Sequence, residues 1–323
     1  VLDGLKEIIE ISKDKKMIIS VGLPLNIEGK LFNCAAVILE GNLLGLVPKK
    51  YLPNYGEFYE KRWFSSGERM SKDKKNINLF GHRIPFGNLL FERENDGYDL
   101  TFGIEICEDL WAPIPPSSYM AIEGANLIGN LSASNGIVGK SQYRRQLVTQ
   151  QSARGITGYV YAGAGIHEST TDTVFEGESM IAENGKILAQ SESFQRDAQL
   201  TVSEIDLQRL ESEKRANTTL SDNYQFCEES PDFRKVPFEL TEEKKLISGK
   251  DFNRHFDSLP FVPQDSSQRK EICEEIFKIQ SSGLAKRMQH TGIKKPIIGV
   301  SGGLDSTLAL LVAIETVDTL GYD

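Results

Sequence analysis

The sequence predicts an α/β protein, and three observations carry that prediction. Apolar runs of strand length alternate with stretches of helical spacing over the first two hundred residues. Two of those runs empty into small or polar residues: 101–111 reads Thr-Phe-Gly-Ile-Glu-Ile-Cys-Glu-Asp-Leu-Trp, and 126–131 is followed by Ser-Ala-Ser-Asn. Near the other end, Pro-Ile-Ile-Gly-Val at 296–300 leads through Ser-Gly-Gly into a second helical pattern.

The elements follow in order. Leu2, Leu5, Ile8, Ile9 and Ile11 share one stripe of an opening amphipathic helix, with no strand ahead of it. Strands are expected over 17–25, 31–39 and 43–47, divided by turns at Glu28-Gly29 and Gly41-Asn42. Residues 48–64 are polar, aromatic and irregular, the composition of a binding loop rather than a spacer. A solvated charged turn covers 71–76. The strand ending at Cys107 has Gly103 as its one break, and a helix over about 117–124 separates it from the strand at 126–131.

A helix over 142–153 carries Tyr143, Gln146, Leu147 and Gln150 on one stripe. Strands at 159–162, 178–182 and 200–205 follow, with Asn184-Gly185 as a type I′ hairpin signal, so the sheet is expected to be mixed. From 211 the chain turns polar, and 208–268 is expected to be an extended connector. A helix over 271–289 opens the last segment.

Length and composition narrow the function. At 323 residues, two domains are the natural expectation. The chain is 39% hydrophobic and 26% charged, with no apolar run of membrane-spanning length and no basic-plus-apolar leader, so a cytoplasmic protein without a membrane partner is expected. A net charge of -9 lacks the basic face that nucleic-acid binding requires. Cys34, Cys107, Cys227 and Cys273 are far apart with no C-x-x-C pair, which suggests neither a metal centre nor a disulfide framework.

Two places carry chemistry. Cys107 stands where a strand stops, the position at which α/β sheets open a crevice. Glu105, Glu108 and Asp109 around it would suppress a thiolate, so an active thiol there needs a cation from elsewhere. None of the four histidines is linked to it by a motif. Lys49, beginning the long loop after a strand, is the best candidate, and Tyr55 and Glu57 in the same loop could orient an ammonium or a substrate.

The second place is Ser301-Gly-Gly-Leu-Asp-Ser306. A strand, two glycines and a helix beginning at Asp305 put unpaired backbone N–H groups at a positive helix end, an anion cradle to which Ser301 and Ser306 add hydroxyls. It lacks the Gly-Lys-Ser/Thr ending of a Walker loop. It looks like the pyrophosphate loop of the ATP pyrophosphatases.

Taken together, the stretch from Val47 through Lys49 to Glu60, the elbow from Gly103 to Trp111, and Asn130-Leu-Ser-Ala-Ser134 resemble the nitrilase-like glutaminase domain of glutamine-dependent NAD synthetases. The resemblance implies a nitrilase-like αββα sandwich over 1–207, the connector over 208–268, and over 269–323 the start of a doubly wound nucleotide-binding domain.

It implies a Glu-Lys-Cys triad that hydrolyses glutamine, the ammonia then attacking adenylated nicotinic acid adenine dinucleotide to give NAD, AMP and pyrophosphate. Cys107 would be the nucleophile, Lys49 the thiolate and oxyanion partner, and Glu57 the supporting second carboxylate. Tyr55, Glu108, Trp111 and Ser134 fall where the family holds its glutamine, and Lys140 where some relatives carry an arginine near the amino-acid carboxylate. Ser301, Gly302, Gly303, Asp305 and Ser306 would hold ATP, accompanied by Mg2+. The family also implies homo-oligomers.

The family's first catalytic Glu lies on an early strand that would precede Val1, and most of the synthetase domain would follow Asp323. The sequence thus reads as an internal segment, with hydrolysis expected to be down about two to four orders of magnitude without that general base. Two other readings compete. A stand-alone amidase or nitrilase would use the same triad but has no reason to carry residues 301–306. In a non-catalytic module Cys107 would be inert core, reacting more slowly than Cys227.

Overall fold

The computed structural model describes residues 1–69, 75–94, 100–168, 173–227, 231–240, 252–256, 258, 259, 262 and 266–322. Contacts divide the chain into two units, Val1–His255 and Phe256–Asp323.

The first unit is a four-layer αββα sandwich. Its outer layer is α1 (Leu2–Ile11), which lays Leu5, Ile8 and Ile9 on a five-stranded sheet. That sheet runs β1 (Ile18–Ile27), β2 (Lys30–Leu39), β3 (Asn42–Pro48), β5 (His82–Phe86) and β4 (Lys75–Leu79), in that spatial order. Strand β2 shows why two sheets form. Cys34, Ala36 and Ile38 face α1, whereas Ala35, Val37 and Leu39 face the other sheet, so both faces of an alternating strand are apolar and each needs a cover.

The second sheet is ordered β11, β10, β9, β8, β7, β6, β12. Its strands are β6 (Leu89–Arg93), β7 (Thr101–Ile106), β8 (Leu127–Ser132), β9 (Gly158–Gly163), β10 (Ser179–Glu183), β11 (Lys186–Gln190) and β12 (Arg234–Phe238). Between the sheets Phe91 stacks on Phe102 at 4.9 Å, and Phe238 meets Phe102 edge-on at 5.7 Å. The outer face is covered by α2 (Pro116–Ile122) and α3 (Lys140–Gly155). Gly103 explains the break in its strand, since a Cβ there would collide with Met120 of α2.

The sheet is mixed, as the hairpin signals predicted: β7, β8 and β9 are parallel, and β9, β10 and β11 antiparallel. Asn184 and Gly185 both take positive φ, 43° and 85°, the geometry a type I′ turn requires.

The structure adds detail to some expectations and corrects others. In α3 the buried residues are Arg144, Val148, Gln151, Ser152 and Gly155, while Tyr143, Gln146 and Gln150 are exposed. The helix therefore turns a partly polar stripe inward. Residues 200–205 form no strand, and Leu200 is exposed. The charged turn lies outside the described residues except for 75 and 76, which begin β4.

The polar segment expected as a connector carries α4 (Leu207–Ala216), α5 (Thr218–Phe226) and β12, which adds in parallel to β6. Its Pro237 is tolerated because β12 stands at the end of the sheet order, where a missing N–H leaves no ladder bond unmade.

The second unit packs α6 (Ser266–Thr291) on α7 (Leu304–Leu320), burying Met288, Val312 and Ala313. Thr316 Oγ1 donates to the Ser281 carbonyl at 3.2 Å. Residues 296–300 have no strand partner among the described residues, and Ile297 is exposed. An apolar run becomes a strand only beside a neighbour that takes its backbone hydrogen bonds.

Candidate active site

Cys107 lies one residue past β7, at the head of a 3-10 turn, Cys107–Trp111. Its φ is +49°, a left-handed conformation that costs a non-glycine residue about 1–3 kcal/mol unless the surroundings hold it. Buried polar groups hold it. The Cys107 N–H donates to Asn130 Oδ1 at 3.1 Å, and the Ile106 N–H donates to Asp109 Oδ2 at 2.9 Å.

Asn130 is fixed in turn from below. Its amide donates to the Tyr159 hydroxyl at 3.1 Å, and Ser132 Oγ donates to its Oδ1 at 2.7 Å. Tyr159 donates to Glu105 Oε1 at 2.5 Å, and the Ser117 N–H donates to Glu105 Oε2 at 2.9 Å. Burial pushes the Glu105 carboxyl up, against these hydrogen bonds.

Burial likewise pushes Asp109 up to about 7, with the Tyr51 and Ile106 N–H groups pulling it down. Two of the three acids crowding the cysteine in sequence are therefore buried and hydrogen-bonded beneath the elbow.

Lys49 follows β3 directly and is 1% exposed. Its Nζ bonds both oxygens of Glu60, at 2.9 and 2.8 Å. This corrects one expectation, because the carboxylate on Lys49 is Glu60 and not Glu57. Glu57 instead accepts from Asn135 Nδ2 at 2.5 Å, and its own backbone N–H and that bond hold its pKa below the usual range.

Above the elbow is a cavity of about 480 Å3. Cys107, Tyr55, Glu57, Glu108, Trp111, Ser134 and Lys140, singled out from sequence, all line it, together with Phe58 and Glu60. Tyr55 donates to Glu108 Oε1 at 2.7 Å, and burial with the Glu108 charge pushes the phenol pKa up.

Lys140 sits between two rings, its Nζ 5.4 Å from Phe58 and 5.2 Å from Trp111, and donates to Asn135 Oδ1. Burial lowers its pKa, while Cys107, Glu57 and Glu108 act to raise it. Aromatic faces and charges of both signs thus surround one thiol, a setting suited to a small zwitterion.

Behind this wall lies a group that sequence reasoning missed. Arg144, 1% exposed, bonds Glu176 at 2.9 Å and also Glu178, and reaches Ser134 Oγ at 3.4 Å. Nothing in the spacing around Arg144 marks it, since its partners are 32 and 34 positions away. Glu60 was similarly hidden, being one acid of several in a loop without periodicity. Ser301, Gly302, Gly303, Asp305 and Ser306 lie in the second unit, at the N-terminal end of α7.

Comparison with known proteins agrees with this picture. Glutamine-dependent NAD(+) synthetase of Mycobacterium tuberculosis is 39% identical over 320 residues, 99% of this chain but 46% of that protein, so the chain spans about half the length of such relatives. The crystal structure of a glutamine-dependent NAD(+) synthetase from Cytophaga hutchinsonii matches at 30% identity and a TM-score of 0.50, over 59% of this chain and 30% of that one.

A carbon-nitrogen hydrolase from Helicobacter pylori shares the fold at a TM-score of 0.52, with 19% identity over 68% of this chain and 72% of its own. The family model for carbon-nitrogen hydrolases matches residues 3–215. Because that match takes in every strand from β1 to β11 and the Cys107 elbow with them, the chain belongs to the carbon-nitrogen hydrolase family.

Proposed function

We propose that this chain carries the glutaminase part of a glutamine-dependent NAD synthetase, with Cys107 as the nucleophile that frees ammonia from the glutamine side chain. The observation that carries the reading is the elbow itself: a cysteine held at positive φ, at the carboxyl end of a strand, in a cavity with Glu57 and Glu108 opposite Lys140. Resemblance to NAD synthetases over 99% of the chain supports this substrate over other amides.

In this reading Glu108, Tyr55 and Lys140 grip the amino-acid end of glutamine, while Trp111 and Ser134 shape the wall. Cys107 Sγ attacks the carboxamide carbon to give a tetrahedral oxyanion, for which Lys49 would supply the cation. The C–N bond then breaks, and the nitrogen leaves as ammonia with the proton that the thiol gave up. Water hydrolyses the thioester to glutamate and restores the thiol. Glu60 holds Lys49 in place, and Glu57 supports the site through Asn135 and Lys140.

The second unit fits a nucleotide. Gly302 takes φ +87° with nothing within 4 Å of where a Cβ would be, so the loop is open to an anion. Ser301, Gly302, Gly303, Asp305 and Ser306 would hold the phosphates of ATP, with Mg2+ as counter-ion. When bound, ATP supplies the adenylyl group that activates the carboxylate of nicotinic acid adenine dinucleotide. A homo-oligomeric, cytoplasmic enzyme completes the proposal; no helix among the described residues is long and apolar enough to cross a membrane.

The test is alkylation by a diazo-ketone analogue of glutamine, followed by intact mass and peptide mapping. Single modification at Cys107, protected by free glutamine and lost in Cys107→Ser, is the expected result. Labelling of Cys107 no faster than Cys227 would overturn the reading. The family match alone equally allows a stand-alone amidase, and residues 301–306 favour the synthetase; protection by simple aliphatic amides but not by glutamine would reverse that preference.

A further inference from the structure

Asp109 belongs to no catalytic role assigned above, yet its carboxylate joins the two halves of the site. It is 2% exposed, on the turn just after Cys107. Oδ1 accepts the N–H of Tyr51 at 2.7 Å and of Lys50 at 3.2 Å, while Oδ2 accepts the N–H of Ile106 at 2.9 Å. The first two residues directly follow Lys49, and the third directly precedes Cys107. The Lys49 segment extends β3 of one sheet and the Cys107 elbow extends β7 of the other.

Apolar packing between sheets tolerates small slides, because dispersion contacts are non-directional. A carboxylate with three N–H donors does not tolerate them, since hydrogen bonds weaken steeply with distance and angle and buried donors need partners.

We propose that Asp109 is a positioning residue whose single carboxylate sets the register of Lys49 against Cys107. The proposal rests on the reading of Cys107 as nucleophile and Lys49 as its cation. Burial pushes the Asp109 carboxyl up to about 7, and the Tyr51 and Ile106 N–H groups together with the Lys49 charge act to favour its ionised form. Asn at this position is not equivalent. Its oxygen can accept from Lys50 and Tyr51, but its amide then points two hydrogens at the Ile106 N–H, and the opposite flip fails at the other two.

The experiment measures the rate of Cys107 alkylation by iodoacetamide against pH in the wild-type chain, Asp109→Asn, Lys49→Met and the double variant. A displaced cation raises the pH at which the thiol becomes reactive. Asp109→Asn should move that pH up by about one unit and slow the reaction at neutral pH about 10-fold, the loss of thiolate that one unit brings. Lys49→Met should do the same, and the double variant should be no slower than the slower single one.

A merely structural Asp109 would lower the melting temperature and leave the pH profile in place, and that result overturns the proposal. So does multiplication of the two single effects. Because Asp109→Asn can fail to fold, Asp109→Glu carries the same cycle, keeping the charge but displacing it by one methylene; it should shift the profile in the same direction by less. Persistence of glutamine-analogue labelling in Cys107→Ser would instead sink the nucleophile reading, a failure distinct from an unmoved profile in the Asp109 variants.

Discussion

The Cys107 cavity and the loop at 301–306 both begin where an apolar run meets small polar residues, but they are assembled in opposite ways. Around Cys107 the hydrogen bonds span the chain: Tyr51 to Asp109, Tyr55 to Glu108 and Glu57 to Asn135 are 58, 53 and 78 positions apart. In the loop every bond is local, from Ser301 to Ser306, Ser306 to Gly303 and Thr307 to Gly303. One site exists only once two sheets have met. The other is written into an apolar run, a loop and the helix α7 that follows, and needs little beyond them. Damage to the first should therefore spread, and damage to the second should stay where it is made.

The sharpest way to break that contrast is Lys49→Met, which should lower the rate of glutamine-analogue labelling about 10-fold, the scale of a thiol that has lost a cation worth about one pKa unit. An unchanged rate would show that the buried Lys49–Glu60 pair is architecture alone.

The largest change in stability is expected of Arg144→Met. It leaves Glu176 and Glu178 buried without their cation, at a cost of about 3–5 kcal/mol and a fall in melting temperature of roughly 10 °C. Labelling of Cys107 should weaken too, through Ser134 and the wall behind it. A melting temperature within a degree or two of wild type would mean that those carboxylates are not held by Arg144.

A smaller effect comes from pH. Glu105 and Asp109 both have carboxyl pKa values raised by burial, Asp109 to about 7. Between their unfolded values near 4 and these folded ones, the native state binds more protons than the unfolded state, so this contribution to stability is present in acid and lost as pH rises through about 7. The melting temperature should decline over that window, and Glu105→Gln should flatten the decline. A slope identical in the variant would show that Glu105 contributes nothing to it.

The smallest structural effect is expected of Gly302→Val. Its φ of +87° should cost about 1 kcal/mol in the local loop, while Cys107 labelling stays at the wild-type rate. A slower thiol would break the contrast between the two places.

How much of this was legible follows the same division. The seven lining residues do meet at one cavity: Cys107 is marked by its place at a strand end and Tyr55 and Glu57 by their aromatic loop, whereas Glu108, Trp111, Ser134 and Lys140 are marked only by resemblance to a known family. The strands were legible where apolar runs were unbroken. Strands β4, β5 and β12 are hidden because edge and hairpin strands are polar on one side and carry Asn, Arg and Pro, and β6 because its apolar run, Leu89 to Phe91, is only three residues long. The inward face of α3 was not legible because Arg144 and Gln151 are buried by pairing, which hydrophobic periodicity cannot register.

The sequence by itself determined the strand that presents Cys107, the aromatic loop that carries Lys49, and the glycine pair ahead of α7, since each depends on a few adjacent residues and their backbone preferences. Tertiary structure decided that Lys49 pairs with Glu60, that Glu57 turns to Asn135, that Asn130 and Asp109 hold the elbow, and that a polar tail returns as β12 to extend a sheet. Those choices are made by burial. A charge or an amide taken out of water must bond to whatever polar group the packing brings beside it, and in a sandwich of two sheets that group is distant in sequence.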